Sequence, residues 1–95
     1  MSILLEKKTY SNGQKVFDWD GTTLTYYFKN GEVKTKGQYI NEQMEGEWLF
    51  YRESGQLWQV GNFKNGKKHG TWKRYSKENR LEYEQEFVDG KPAKK

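Results

Sequence analysis

The chain has 95 residues, no cysteine and a formal net charge of +4, from 17 Lys and Arg against 13 Asp and Glu. That length allows one small domain with a modest core. The missing cysteine excludes disulfides and the commonest zinc sites and suits a reducing compartment, so a cytoplasmic address is expected. Mean hydropathy is -1.22, yet 17% of the residues are aromatic. Disordered chains are poor in rings, and each ring can bury roughly 150–250 Å², so aromatics are expected to replace an aliphatic core.

The chain opens with Ile3, Leu4 and Leu5 before Glu6, Lys7 and Lys8, an apolar run too short for a signal peptide or a membrane span. Residues 2–10 are expected to form a first strand, with a short helix as the competing reading. They end at Asn12-Gly13, the dipeptide of a type I′ hairpin turn. Trp19 follows Gly13 by six residues, as Trp72 follows Gly66, so this region reads as a degenerate copy of something later. Asp20-Gly21 marks a second turn, residues 22–29 (TTLTYYFK) a β-branched and aromatic strand, and Asn30-Gly31 a third turn.

Residues 32–40 alternate Val33, Thr35, Gly37 and Tyr39 with Glu32, Lys34, Lys36 and Gln38, the period of a half-buried strand. Residues 56–64 place Leu57, Gln59, Gly61 and Phe63 on the matching face, and residues 80–88 place Leu81, Tyr83, Gln85 and Phe87 there. Shorter strands are expected over 46–52 and 70–76, entered through Gly46 and Gly70, with His69 in the preceding turn. The Lys-rich tail 91–95, which contains Pro92, is expected to fray.

The spacing is a repeat. A shift of 24 residues carries Gly61, Phe63, Gly70, Trp72 and Tyr75 onto Gly37, Tyr39, Gly46, Trp48 and Tyr51. The expected organisation is one domain: a degenerate copy over 1–36, repeats over 37–60 and 61–84, and a partial repeat over 85–90. Gly37 and Gly61 sit inside strands, where glycine is weakening. Either Trp48 and Trp72 lie over them, ring on bare backbone, or they mark bulges.

The run GNFKNGKKHG, with Gly61, Phe63, Gly66 and Gly70 in G-x-aromatic-x-x-G-x-x-x-G spacing, resembles the MORN repeat. Trp48 and Trp72 stand where the usual unit has glycine. The resulting G-x-W-x-x-Y form, followed by Gly55-Gln56-Leu57 or Asn79-Arg80-Leu81, resembles the bacterial MORN-variant proteins of the YwqK type, which are antitoxins. The resemblance implies an all-β fold, an antiparallel meander of hairpins in a single curved sheet. Turn signals along the chain agree, at about eight strands. The resemblance also implies either lipid or scaffold binding or neutralisation of a toxin.

No catalytic constellation, metal site or cofactor is expected. His69 is the single histidine, and the pairs Glu53 with Glu78 and Asp18 with Asp20 fall at turn tips. Lys64, Lys67, Lys68, Lys73 and Arg74 form a basic zone beside Phe63, Trp72 and Tyr75, which nucleic acid or acidic lipid could use. The same rings recur among glutamates at Tyr39, Trp48 and Tyr51, so packing accounts for their period. A single sheet cannot cover both its faces. Trp48 and Phe50 alternate with Leu49 and Tyr51, and Trp58 with Val60 opposes Leu57 with Phe63. A non-enzymatic protein-binding module is therefore expected, with Phe50, Arg52, Trp58, Lys67, Lys68, Lys73, Arg74 and Tyr75 as contacts, and the resemblance to YwqK-type proteins implies a toxin as its partner. Open sheet edges add a route to a homodimer.

Overall fold

The computed structural model describes residues 9–93. Its strands are β1 (Phe17–Trp19), β2 (Thr23–Tyr27), β3 (Val33–Ile40), β4 (Gln43–Tyr51), β5 (Leu57–Lys64), β6 (Lys67–Lys68), β7 (Gly70–Tyr75), β8 (Leu81–Val88) and β9 (Lys91–Pro92). They form one open antiparallel sheet that follows chain order, with β6 and β7 both paired to β5. Those two are a single strand interrupted at His69, and β9 forms where a frayed tail was expected, so the described residues carry nine strands where about eight were expected along the whole chain. The expected strand or helix over 2–10 lies almost wholly outside the described residues, apart from a bridge between Thr9 and Lys15.

Turn chemistry repeats with the sequence. At one end of the sheet, residues 41–42, 65–66 and 89–90 make tight turns in which both central residues have positive φ: Asn41 and Glu42, Asn65 and Gly66, Asp89 and Gly90. This is the type I′ geometry that matches strand twist. At the other end, residues 10–14, 28–32, 52–56 and 76–80 share one hydrogen-bond pattern, seen in Arg52 N to Gln56 O and Gly55 N to Arg52 O, both 2.8 Å. Side chains lace these turns together: Asn12 Nδ2 donates to Lys29 O at 3.0 Å, Asn30 Nδ2 to Glu53 O at 3.1 Å, and Gln56 Nε2 to Lys77 O at 2.7 Å.

Several expectations are corrected here. Asn12 does not share the positive φ of Gly13, so that turn is not type I′. The tight turn at Asn41-Glu42 lets β4 begin at Gln43, three residues before Gly46. Lys67 and Lys68, which lie between the strands expected over 56–64 and 70–76, pair with Lys64 and Phe63. The tail does not fray at its start, because Asp89-Gly90 folds Lys91 and Pro92 back onto Val88 and Phe87.

The register explains the glycines. Gly37 opposes Trp48, but Gln38 opposes Glu45, so Gly46 and Glu47 bulge out of β4. The indole drops onto Gly37, its Nε1–H donating to Gln38 O at 3.0 Å. The next repeat does the same: Trp72 covers Gly61 and donates to Asn62 O at 2.9 Å. Of the two alternatives left by the sequence, the rings do lie over Gly37 and Gly61, and the bulges fall in the following strands and not at these glycines. The bulge frees the indole to cap a backbone carbonyl, and the missing Cβ lets the ring lie flat.

The core is correspondingly a ribbon of rings on one face. Leu24 and Trp48 are fully buried and Tyr39 nearly so, with Phe17, Tyr26, Met44, Phe50 and Phe63 packed around them. Edge-to-face contacts extend it: Trp48 with Phe63 at 6.2 Å, Phe63 with Trp72 at 5.1 Å, and Trp72 with Phe87 at 6.2 Å between centroids. Trp19, read as the counterpart of Trp72, is instead 48% exposed. Its role falls to Leu24, which opposes Gly37 in the register and lies 24 residues before Trp48.

Candidate functional site

The sheet is thin, 17 Å in its short dimension against 46 and 35 Å, so each face presents its own chemistry. Cross-strand pairing puts Tyr26, Thr35, Phe50, Gln59, Arg74 and Tyr83 in one row on the face that carries the ring ribbon. Beside this row lies a hollow of about 480 Å³ lined by Phe28, Lys34, Thr35, Phe50, Arg52 and Trp58, among others.

A one-residue bulge builds the hollow. Phe50 opposes Gln59 and Tyr51 opposes Leu57, leaving Trp58 as the extra residue. The alternation expected across residues 56–64 breaks at this point. Trp58 joins Phe50 at the hollow and not Val60 on the opposite face, and Leu57 is paired with Tyr51. The same bulge recurs 24 residues earlier at Lys34 and 24 later at Glu82, where the registers shift in the same way.

Two guanidiniums lie close to the Trp58 ring. Arg52 lies 5.9 Å and Arg74 5.8 Å from its centroid, within cation–π range. Arg52 is anchored by a 3.1 Å hydrogen bond from Nη2 to Tyr75 O, while its Nε is buried without a hydrogen-bond partner. Arg74 also lies 4.9 Å from the Tyr83 ring, and its Nε donates to Gln59 Oε1 at 3.4 Å. Among the described residues the one ion pair is Lys15 with Asp18 at 2.9 Å, so neither arginine is neutralised by a carboxylate of those residues. Lys34, 5.7 Å above the Phe28 ring, adds a third cation, against Glu53 as the acid lining the hollow.

The structure brings Phe50, Arg52, Trp58 and Arg74 together and disperses the other candidates. Lys68 stays on the ring-bearing face but lies over the core, 4.7 Å from the Trp72 ring and 4.9 Å from Phe87. Lys73 and the side chain of Tyr75 line a polar hollow of about 370 Å³ on the opposite face, with Glu47, Asn62, Thr71 and Glu84. Lys67 pairs with Lys64, away from both hollows. The continuous basic zone read from residues 64–74 is therefore divided between two faces by strand alternation.

Sequence reasoning missed Phe28, Lys34 and Tyr83. The 24-residue shift could have found Lys34, the counterpart of Trp58, and Phe28, the counterpart of Arg52. Tyr83 carried no such signal for a contact with Arg74, because that pair exists only through the β7–β8 register.

The paired carboxylates have structural partners. Asp18 accepts from Lys15 Nζ at 2.9 Å and from the Tyr27 hydroxyl at 2.8 Å, and these contacts, Lys15 first, hold its carboxyl below the ordinary value. Asp20 accepts the backbone N–H of Thr23 at 2.8 Å and of Thr22 at 2.9 Å, with the same effect.

Comparison with known proteins finds a family model, the MORN repeat variant, matching three times, at residues 21–41, 44–65 and 68–89. No curated protein and no solved structure matches the chain.

Proposed function

The chain belongs to the MORN repeat variant family, whose repeats point to a binding or scaffold module, and from that premise we propose that it works by covering a surface of one protein partner, without catalysis. The hollow at Trp58 carries the reading: an aromatic floor with two arginines that no carboxylate of the described residues neutralises. Trp, Tyr and Arg are the residues that dominate binding energy at protein interfaces. The finer form of the proposal is an antitoxin or immunity protein of the cytoplasm that blocks a toxin by direct contact. It is supported by the G-x-W-x-x-Y units at Trp48 and Trp72, which resemble those of YwqK-type antitoxins.

The rival readings have less to stand on. Nucleic acid or acidic lipid needs a run of cations on one face, whereas Lys68 and Arg74 share a face that Lys73 does not. Pairing of sheet edges into a homodimer meets Pro92, which has no N–H, in the two-residue β9 at the C-terminal edge.

The test is capture of the tagged protein and of its Trp58→Ala variant from source-cell extract, nuclease-treated and at moderate salt. One near-stoichiometric protein held by the native chain and lost by the variant supports the reading. Its toxicity when expressed alone, relieved by co-expression, supports the antitoxin form. Recovery of only nucleic acid or lipid, and only at low salt, overturns both.

A further inference from the structure

The hollow also constrains what the partner presents. We propose that it receives an acidic protein segment, one carboxylate meeting Arg52 and Arg74 and a neighbouring apolar side chain lying on Phe50 and Trp58. The inference rests on the protein-binding reading and specifies its chemistry.

Charge complementarity is the first argument. Lys34 and Arg52 line a hollow with Glu53 as its acid, and Arg74 adds a further cation 5.8 Å from the Trp58 ring that forms part of its wall. Both arginines are held in place by contacts that leave their charge standing. Arg52 spends one N–H on Tyr75 O and Arg74 one on the neutral Gln59 amide, while both lie near the Trp58 ring. Held guanidiniums with unused N–H groups suit a planar carboxylate, and prior ordering by the rings lowers the entropy lost on binding.

Shape and surroundings argue for a peptide over a phosphate backbone. The hollow, about 480 Å³, is in the size range of a pocket for side chains. Its floor is aromatic, which rewards an apolar residue beside the acid. A phosphate backbone would need cations continuing along the sheet. The next ones differ in placement: Lys68 lies over Trp72 and Phe87, and Lys73 faces away with Glu47 and Glu84.

The test is selection of twelve-residue random peptides, displayed and panned against the immobilised full chain. The selected sequences are expected to be enriched in Asp or Glu adjacent to an apolar residue. The best of them should lose about tenfold or more in affinity with Trp58→Ala and with Arg74→Glu, and less with Arg74→Gln. Matching circular dichroism and thermal transitions check that the variants fold. Arg74→Glu should shift a repeat selection toward basic peptides, a change that loss of folding does not produce. Several results overturn the inference: no selection above background, no acidic enrichment, affinities unchanged in both variants, or a twelve-residue oligothymidylate that competes for Trp58 and Arg74. A cellular partner retained by Arg74→Glu also overturns it while leaving the protein-binding reading intact.

Discussion

Trp72 lies flat across Gly61, so close that a Cβ on that glycine would stand 2.5 Å from the ring atoms. The indole cannot retreat without losing its 2.9 Å hydrogen bond to Asn62 O and its edge-to-face contacts with Phe63 and Phe87. Gly61→Ala is therefore an overpacking mutation, expected to cost about 1–3 kcal/mol. Urea unfolding should show a lower midpoint with unchanged slope. Gly37→Ala, beneath Trp48, should behave alike. A loss below about 0.5 kcal/mol at both sites, the level of an ordinary surface change, would show that the ring moves freely.

Three of the tryptophans should separate into two classes. Trp48 is fully buried and Trp72 4% exposed, whereas Trp19 is 48% exposed. Trp48→Ala or Trp72→Ala should cost about 3–5 kcal/mol, a large part of the roughly 5–15 kcal/mol total of a small domain. Trp19→Ala should cost less than about 1 kcal/mol. Thermal unfolding of the three variants checks the ranking; a Trp19 variant as damaged as the Trp48 variant contradicts it.

One turn carries a correctable strain. Glu42 sits at φ 62°, where the equivalent positions of the other two turns are Gly66 and Gly90. A left-handed L-residue costs about 1–2 kcal/mol, and glycine returns roughly 0.5–1 kcal/mol of that through chain entropy. Glu42→Gly should thus stabilise the protein by about 0.5–1 kcal/mol, measured as a raised urea midpoint. A lowered midpoint means that the Glu42 side chain contributes more than its backbone strain costs.

Acid sensitivity should come in part from Asp18 and Asp20. Lys15, then Tyr27, lowers the Asp18 carboxyl, and the Thr23 and Thr22 amides lower that of Asp20, both from 3.8. A depressed folded value means stability that is complete above the unfolded value and lost as pH falls through the folded one. Wild-type stability should therefore decline below about pH 4, and Asp20→Ala should decline less steeply there. Tyr27 works in the other direction. Its hydrogen bond to Asp18 raises the phenol above 10.0, so its share is present below that value and lost as pH rises through the folded one. Urea midpoints measured across both pH ranges check this; parallel curves for wild type and Asp20→Ala refute the acid half.

The sequence by itself determined the repeat and the strand class, and it offered ring-on-glycine packing as one of two readings that the structure then decided. Gly, Trp and Tyr at a 24-residue spacing are local requirements: positive φ at turns, a bare backbone under an indole, alternation along a strand. It also named Phe50, Arg52, Trp58 and Arg74, because exposed rings and arginines on a single sheet have few other uses. What only the tertiary structure decided is where those residues meet. The bulge at Trp58 turns its ring toward Arg52 and Arg74. The bulge at Gly46-Glu47 and the turn at Asn41-Glu42 set β4 three residues earlier than its glycine suggested. A one-residue bulge, as at Trp58, shifts register by one, and in a lattice of period two that decides which face a side chain occupies. The choice depends on the neighbouring strand and so was absent from local sequence.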